Sequence, residues 1–298
     1  MKVLTKTYPS YLVHGLMLLM VTFVASSFPV GALITTAMPP EVMMFIRFFM
    51  AASLFAPYVF LKHGLHLPSI SQSKNYTILS IPLVVFFWCM FEGLRYTSAL
   101  NTGAIYTVIP AITAVYVFFI NREKTSKRRS IGLLIGTLGA VWIVFRGDLA
   151  DLLTLQFNYG DSLFFLGCLF LAAYNPLIKK FYVGEAMEVM TFWVIAIGSV
   201  WLLLLSIPSF KLVTWQEVSI GVYLSVLYLA IFTTVVTFFL LQFGTLSIGA
   251  TRVAAYSFLT PVLVAILNIF LGAEVFDFKL LPGIFLILLA MNLVQKEG

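Results

Sequence analysis

The sequence predicts an all-α integral membrane protein of ten transmembrane helices, built as two inverted five-helix repeats with both termini cytoplasmic. Three observations carry that expectation. Hydrophobic residues make up 61% of the 298 and charged residues only 10%, whereas soluble domains carry about 25% charge, so a water-soluble fold is excluded. Apolar runs of about 20 residues recur, each long enough to cross about 30 Å of hydrocarbon. The chain also repeats itself. Adding 151 to Pro110, Glu123 and Gly132 gives Pro261, Glu274 and Gly283, and the same shift takes Gly93, Ala99, Ala104 and Ala114 to Gly244, Ala250, Ala255 and Ala265. Earlier in the chain the offset is 147, taking Pro29 to Pro176 and Glu41-Val42-Met43-Met44-Phe45 to Glu188-Val189-Met190-Thr191-Phe192. Residues 1–147 and 148–298 are therefore read as two copies of one unit within a single membrane domain.

The first five helices are expected at Leu12–Ile34, Glu41–Leu61, Tyr76–Thr97, Thr102–Asn121 and Ile131–Phe145. The second five are expected at Asp161–Lys180, Met187–Ile207, Val218–Phe243, Ile248–Leu271 and Leu280–Val294. The first run is too long for a signal-peptide core and ends without a small-residue cleavage pattern, so it reads as a span. The fifth and tenth runs, at about 15 residues, are short for a bilayer and imply little tilt or local thinning.

Orientation follows from where the charges fall. Lys2, Lys6, Lys62, Lys74, Arg122, Lys124, Lys127, Arg128, Arg129, Lys179, Lys180 and Lys296 all lie on one side of the alternating spans, and Arg146, Lys211 and Lys279 on the other. By the positive-inside rule the basic side is cytoplasmic. The net charge of +6 thus reports membrane orientation, not nucleic-acid binding. An odd number of helices per repeat then makes helix 1 run outward and helix 6 inward, which inverts the second copy. Inverted repeats build alternating-access carriers, with the site near the midplane at the repeat interface.

Other chemistry is poorly represented. Cys89 and Cys168 lie inside predicted spans with no metal-ligand spacing, and read as packing thiols. His63 and His66 share a short loop with no carboxylate or cysteine close in sequence, so no metal site is expected. HExxH, GxSxG, an intramembrane aspartate pair and a Walker motif are all missing from the sequence, so neither an enzyme nor an ATP-driven pump is expected. No cofactor is called for beyond coupling to protons, with Glu92 the carboxylate that would serve it.

The residues that carry a family likeness are Phe45-Ile46-Arg47-Phe48, Tyr96-Thr97-Ser98-Ala99, Pro110…Glu123, Gly132…Gly139, Ala172-Ala173-Tyr174 with Lys179-Lys180, and Pro261…Glu274. In this order the chain resembles the drug/metabolite transporter superfamily, specifically its ten-helix EamA-type carriers, over nearly its whole length. That resemblance implies a multi-pass protein of the bacterial inner membrane that moves small organic molecules, most often exporting amino acids or related metabolites. Import of a vitamin, nucleoside or nucleotide-like compound is the alternative, and a non-transport membrane interaction protein a remote one. It also implies a central cavity lined by helices 1, 3, 4, 6, 8 and 9. The partners expected are a small-molecule substrate and the lipid bilayer, with the chain a monomer or weak homodimer.

Charges at membrane depth are costly, about 2.5–3.5 kcal/mol at a helix centre on insertion scales, so each is a candidate. Arg47 and Glu92 are expected at similar depth and could pair, while Arg95 competes for Glu92 from the next turn. The functional reading makes Glu92 a proton or amine site and Arg47 or Arg95 a carboxylate anchor; the structural reading is an ion pair near the interface. Arg252, at the cytoplasmic end of helix 9, is a charge that would attract anions to an inward-open mouth. On the helices that line the family's cavity, Trp88, Phe91, Tyr106, Tyr174, Phe239 and Tyr256 offer aromatic faces. Asn175 and Gln242 offer amides that need partners at membrane depth, and Asn268 is a similar amide nearer the outer end of helix 9. Ser26 and Ser27 offer hydroxyls either to substrate or to their own helix. Pro29, Pro110, Pro176 and Pro261 each remove a backbone hydrogen bond and are expected to bend their helices at matched positions. Gly132-x-x-x-Gly136 suggests a close contact with helix 10 or with a second protomer.

Overall fold

Helix ends are set by local chemistry that hydropathy alone does not show. In the computed structural model, which describes residues 8–64, 67–97, 99–148, 158–270 and 277–296, α1 spans Ser10–Ile34 and α2 spans Pro40–His63. Proline at the first position of α2 is tolerated because that N–H would lack an intrahelical partner anyway. Gly64 ends α2 at φ +78°, a conformation that a side chain would strain. The next helix, α3 (Ile70–Gly93), begins at Ile70 instead of Tyr76, because Ser69 and Gln72 form a reciprocal capping box. The Gln72 N–H donates to Ser69 Oγ at 3.2 Å and the Ser69 N–H donates to Gln72 Oε1 at 3.0 Å, which satisfies two donors that would otherwise be left over.

The fourth apolar run is not one helix. It divides into α4 (Ala99–Tyr106), α5 (Ile109–Tyr116) and a π-helical turn, Val117–Asn121. Helix α6 (Lys127–Val144) starts a turn earlier than expected because Ser126 Oγ accepts from the Arg129 N–H. In the second half, α7 (Tyr159–Phe181) is opened by a capping box between Asn158 and Asp161. Helix α8 (Met187–Ser206) runs into a 3-10 turn, Ile207–Leu212. Helix α9 (Ile220–Ala230), a π-helical turn Ile231–Val236 and α10 (Thr237–Ile248) form one long apolar rod. Helix α11 (Ala250–Ala255), a 3-10 turn Tyr256–Leu259 and α12 (Thr260–Phe270) form the next, and α13 (Leu281–Gln295) follows the 3-10 turn Phe278–Leu280.

Among the described residues, eight helical segments are long and apolar enough to cross a bilayer, and Ile109–Asn121 is a shorter apolar helix. The molecule is therefore an all-helical, multi-pass membrane protein. Lys2, Lys6, His66, Ser98, Glu274 and the side chain of Asn268 lie outside the described residues.

The four matched prolines divide into two kinds. Pro29 and Pro176 lie inside continuous helices. Pro110 instead sits at the start of α5, after the break at Thr107 and Val108, and Pro261 sits at the start of α12, after the 3-10 turn. For the second pair the expected bend within one helix is a change of segment, since a proline fits the first turn of a helix better than its interior. The matching holds within each pair.

Helices that correspond in the two halves pack against each other antiparallel. In α2 and α8, Lys62 near the end of one meets Glu188 at the start of the other, while Glu41 at the start of α2 accepts a hydrogen bond from Ser209 just beyond α8. In α6 and α13, Gly132 faces Val294 and Gly139 faces Gly283 and Leu286. A Cβ at Gly139 would fall 2.9 Å from the Gly283 carbonyl oxygen, so the backbones approach as closely as small residues permit. Gly136 faces Phe258 of the neighbouring 3-10 turn. Contacts between non-corresponding helices are repeated as well. Gly93 in α3 faces Phe164 in α7, and its match Gly244 in α10 faces Met17 in α1, where 17 plus 147 is 164.

Candidate functional site

Segments from both halves surround one central cavity that encloses about 840 Å³ of empty space, its open part included. Its wall takes residues from α1, α2, α3, the α4–α5 region, α7, the α9–α10 rod and the α11–α12 region. The resemblance implied this set of helices except α2, which enters through Arg47. Most of the wall is apolar, and Phe28, Phe86, Phe87, Tyr106 and Phe238 supply its aromatic faces.

Arg47 is 1% exposed, and its surroundings differ from the ion pair with Glu92 considered from sequence. Its Nε donates to Thr234 Oγ1 at 2.8 Å, and its Nη2 donates to the carbonyl oxygen and to Oγ1 of Thr233, each at 2.8 Å. The guanidinium carbon lies 4.4 Å from the centre of the Phe87 ring, a cation–π distance. Thr233 and Thr234 can accept because their own hydroxyl protons are committed elsewhere. Both donate to the Leu229 carbonyl oxygen, at 2.9 and 3.0 Å. The π-helical turn makes this possible, since its wider winding disturbs the regular bonding ladder and brings two successive threonines onto one guanidinium. Among the described residues no carboxylate lies within ion-pair distance of Arg47. Among the described residues its Nη1 has no hydrogen-bond partner either.

Glu92 pairs with Arg95, at 3.2 Å between Oε2 and Nη1, at a site where the arginine side chain is 49% exposed. This decides the choice left open by sequence: the pair spans one turn of the same chain segment, and Arg47 is held by threonines instead. Neither Glu92 nor Arg95 lines the cavity.

The remaining candidates fall into separate groups. Tyr106 and Asn175 line the cavity, and Ser27 does too, although its hydroxyl also bonds back to the Val24 carbonyl at 2.6 Å. Ser26 donates back to Phe23 and meets Tyr228 OH at 2.6 Å. Tyr174 and Gln242 lie outside the cavity wall and satisfy each other. Gln242 Nε2 donates to Tyr174 OH at 3.0 Å, and Thr191 Oγ1 donates to Gln242 Oε1 at 2.6 Å. These three side chains form a buried relay across α7, α8 and α10, so the amide that sequence analysis placed towards substrate is bonded within the protein.

Phe91 packs on Gly31, Phe239 joins the cluster around Met17 and Val253, and Trp88 is half-buried away from the cavity. Tyr256 meets His14 Nδ1 across α1 and the 3-10 turn. The backbone carbonyl of Arg252 accepts from Gln295 at 2.9 Å, and its side chain is not part of the cavity wall. His63 has a carboxylate near after all: Glu188 approaches within 3.8 Å across the helix pair.

Cavity residues that sequence analysis passed over include Phe86, Phe87, Thr233, Thr237, Phe238, Ser257 and Thr260. Neighbouring threonines at 233, 234 and 237 in an otherwise apolar run were the visible signal, because hydroxyls at membrane depth tend to face other helices. Among the described residues, the residues of this wall that carry a buried polar atom without a protein partner are Arg47 (Nη1), Asn175 (Oδ1), Ser257 (Oγ) and Thr260 (Oγ1). Unpaired buried polar groups are uncommon and call for an explanation.

Comparison with known proteins agrees with this architecture. A model of the EamA-like transporter family matches twice, over residues 12–145 and 158–295. The chain is 25% identical over 244 residues to the "Uncharacterized transporter YyaM" of Bacillus subtilis (strain 168), covering 81% of this chain and 80% of that one. It is 25% identical over 268 residues to an "Uncharacterized transporter" of Archaeoglobus fulgidus, covering 89% of this chain and 91% of the relative. A solved crystal structure superposes with a TM-score of 0.72 at 16% identity, over 93% of this chain and 94% of the other, which shows a shared fold. With a cavity between two copies of one unit and a family match to each copy, the chain belongs to the EamA-like transporter family, within the drug/metabolite transporter superfamily.

Proposed function

We propose that this membrane transporter is a secondary carrier that moves small amphipathic organic metabolites, amino acids or related compounds, outward across a bacterial inner membrane. It works by alternating access between residues 1–147 and 148–298, two inverted repeats of five spans each, with both termini cytoplasmic. The observation that carries the reading is the cavity, whose wall is drawn from both halves. Antiparallel packing of α2 on α8 and of α6 on α13 supports inversion, because these helices correspond in sequence yet run in opposite directions. Two such halves can exchange shapes about a shared site, so that a cavity open to one side becomes open to the other. The aromatic wall suits an apolar body, and its few polar atoms suit a substrate with one or two polar groups. The unit that carries out this cycle is a monomer or weak homodimer.

Counterflow in proteoliposomes tests the reading. The purified chain, preloaded in turn with amino acids, vitamins and nucleosides, is expected to accumulate labelled amino acid or a related metabolite against unlabelled compound. Failure of every compound to exchange would overturn the carrier reading. Exchange of a vitamin or nucleoside alone would keep the carrier and overturn its substrate.

A further inference from the structure

We propose that the central cavity is a site for a monoanionic amphipathic acid, whose carboxylate docks on Nη1 of Arg47; the inference rests on the carrier reading for its physiological role and on the cavity alone for binding.

A guanidinium has five N–H donors. Three of the donors of Arg47 are used, by Thr234 and twice by Thr233, and each of those partners is neutral. The two donors on Nη1 have no partner among the described residues. The threonines and Phe87 therefore hold the side chain in place without neutralising its charge. A cation kept this way in an apolar wall is costly unless an anion joins it. Glu92, the carboxylate considered from sequence as a partner, is paired to Arg95. No Asp, Glu or Lys is part of the described cavity wall. An anion entering from water thus meets one cation and no competing charge, and an ammonium group meets no carboxylate. A single cation sets the preferred charge at one.

The rest of the wall says what the acid carries. Phe28, Phe86, Phe87 and Phe238 present faces for an aromatic or branched aliphatic body. Asn175 Oδ1 has no donor of its own, so a hydroxyl or amino group on the substrate would add to affinity there without being required. Carboxylate and apolar body together are the minimum that the site recognises.

Four probes that share a phenyl group and differ in charge test this on the purified full chain in lipid nanodiscs: 3-phenylpropanoate, 3-phenylpropanamide, 3-phenylpropylammonium and the larger dianion phenylsuccinate, read by isothermal titration calorimetry. The carboxylate is expected to bind at least tenfold more tightly than each of the other three. Arg47→Gln is expected to abolish that preference and Arg47→Lys to keep part of it, with size-exclusion profiles confirming that both variants remain folded. Should both variants unfold, the four probes on the unaltered chain decide alone. Equal binding of amide and carboxylate, a preference that survives Arg47→Gln, or no binding by any probe would each overturn the proposal. Counterflow separates the two readings. Neutral compounds exchanged while carboxylates are not would sink the anion site and leave the carrier standing; carboxylate binding without any exchange would do the reverse.

Discussion

Lys62 Nζ lies 2.7 Å from Glu188 Oε1, and the corresponding positions meet again at the opposite end of the helix pair. Adding 147 to Glu41 and Lys62 gives Glu188 and Ser209, and Ser209 donates to Glu41. Each glutamate opens its helix, and each meets the residue 21 positions after the other glutamate in the chain. Helices related by duplication are thereby held head to tail, with a lysine at one end and a serine at the other.

This relationship predicts which faces of the membrane the two ends see. With inverted repeats, a cysteine at Lys62→Cys and one at Ser209→Cys are expected to react with a membrane-impermeant maleimide from opposite sides. Intact right-side-out and inside-out vesicles distinguish the two. Labelling of both from one side would exclude the inverted arrangement. The native Cys89 and Cys168 are both buried and serve as the low background.

The threonine cradle of Arg47 makes a prediction about stability. Hydrogen bonds to charged groups contribute about 1.5–3 kcal/mol each. Thr234→Val removes the acceptor for Arg47 Nε and keeps the side-chain shape. It is expected to lower unfolding stability by about 1–3 kcal/mol, measured by denaturant titration in detergent. An unchanged midpoint would mean that water or another group takes over the donor.

The relay through Gln242 separates structure from recognition. Tyr174→Phe is expected to cost about 0.5–1.5 kcal/mol of stability and Gln242→Leu about 1–3 kcal/mol, because the second leaves two buried hydroxyls with a lost partner. Neither side chain lines the cavity, so substrate KM in counterflow is expected to stay within about twofold for Tyr174→Phe. A large rise in KM with normal stability would place Tyr174 at the substrate.

Two glycines predict opposite outcomes from the same substitution. Gly139→Ala puts a methyl group 2.8 Å from Leu286 Cβ and 2.9 Å from the Gly283 carbonyl oxygen, so α6 and α13 must separate. Overpacking of this kind costs about 1–3 kcal/mol. Gly15→Ala meets nothing within 4 Å and is expected to be neutral or to stabilise by up to about 1 kcal/mol. Thermal midpoints in one detergent compare them directly, and equal shifts would contradict the helix packing described.

The amino-acid sequence by itself determined the class of this protein. A chain with so little charge and such long apolar runs has no stable state in water, and only helices satisfy their own backbone groups in lipid. Duplication was legible because proline, glycine and glutamate have few substitutes at helix breaks, close contacts and helix starts. That is why Pro110 and Pro261, Gly93 and Gly244, and Glu41 and Glu188 still correspond. Helix boundaries were legible only in part: the Ser69–Gln72 capping box moved the start of α3, and a regular apolar period concealed the breaks before Pro110 and Pro261.

What tertiary structure alone decided is which polar side chains find one another. Sequence placed Arg47, Glu92, Arg95, Asn175 and Gln242 at membrane depth, but a partner from another helix depends on rotation about two axes and on local winding. The π-helical turn at Ile231–Val236 is not encoded by any hydropathy period. Yet it brings Thr233 and Thr234, 186 and 187 positions from Arg47 in the chain, onto its guanidinium. The same distant packing gave Gln242 to Tyr174 and left Asn175 on the cavity wall, one position along the same helix. Composition and repetition are local or periodic properties of a chain, so they survive in its sequence; the environment of a buried charge is a property of several helices at once, and exists only when they are packed.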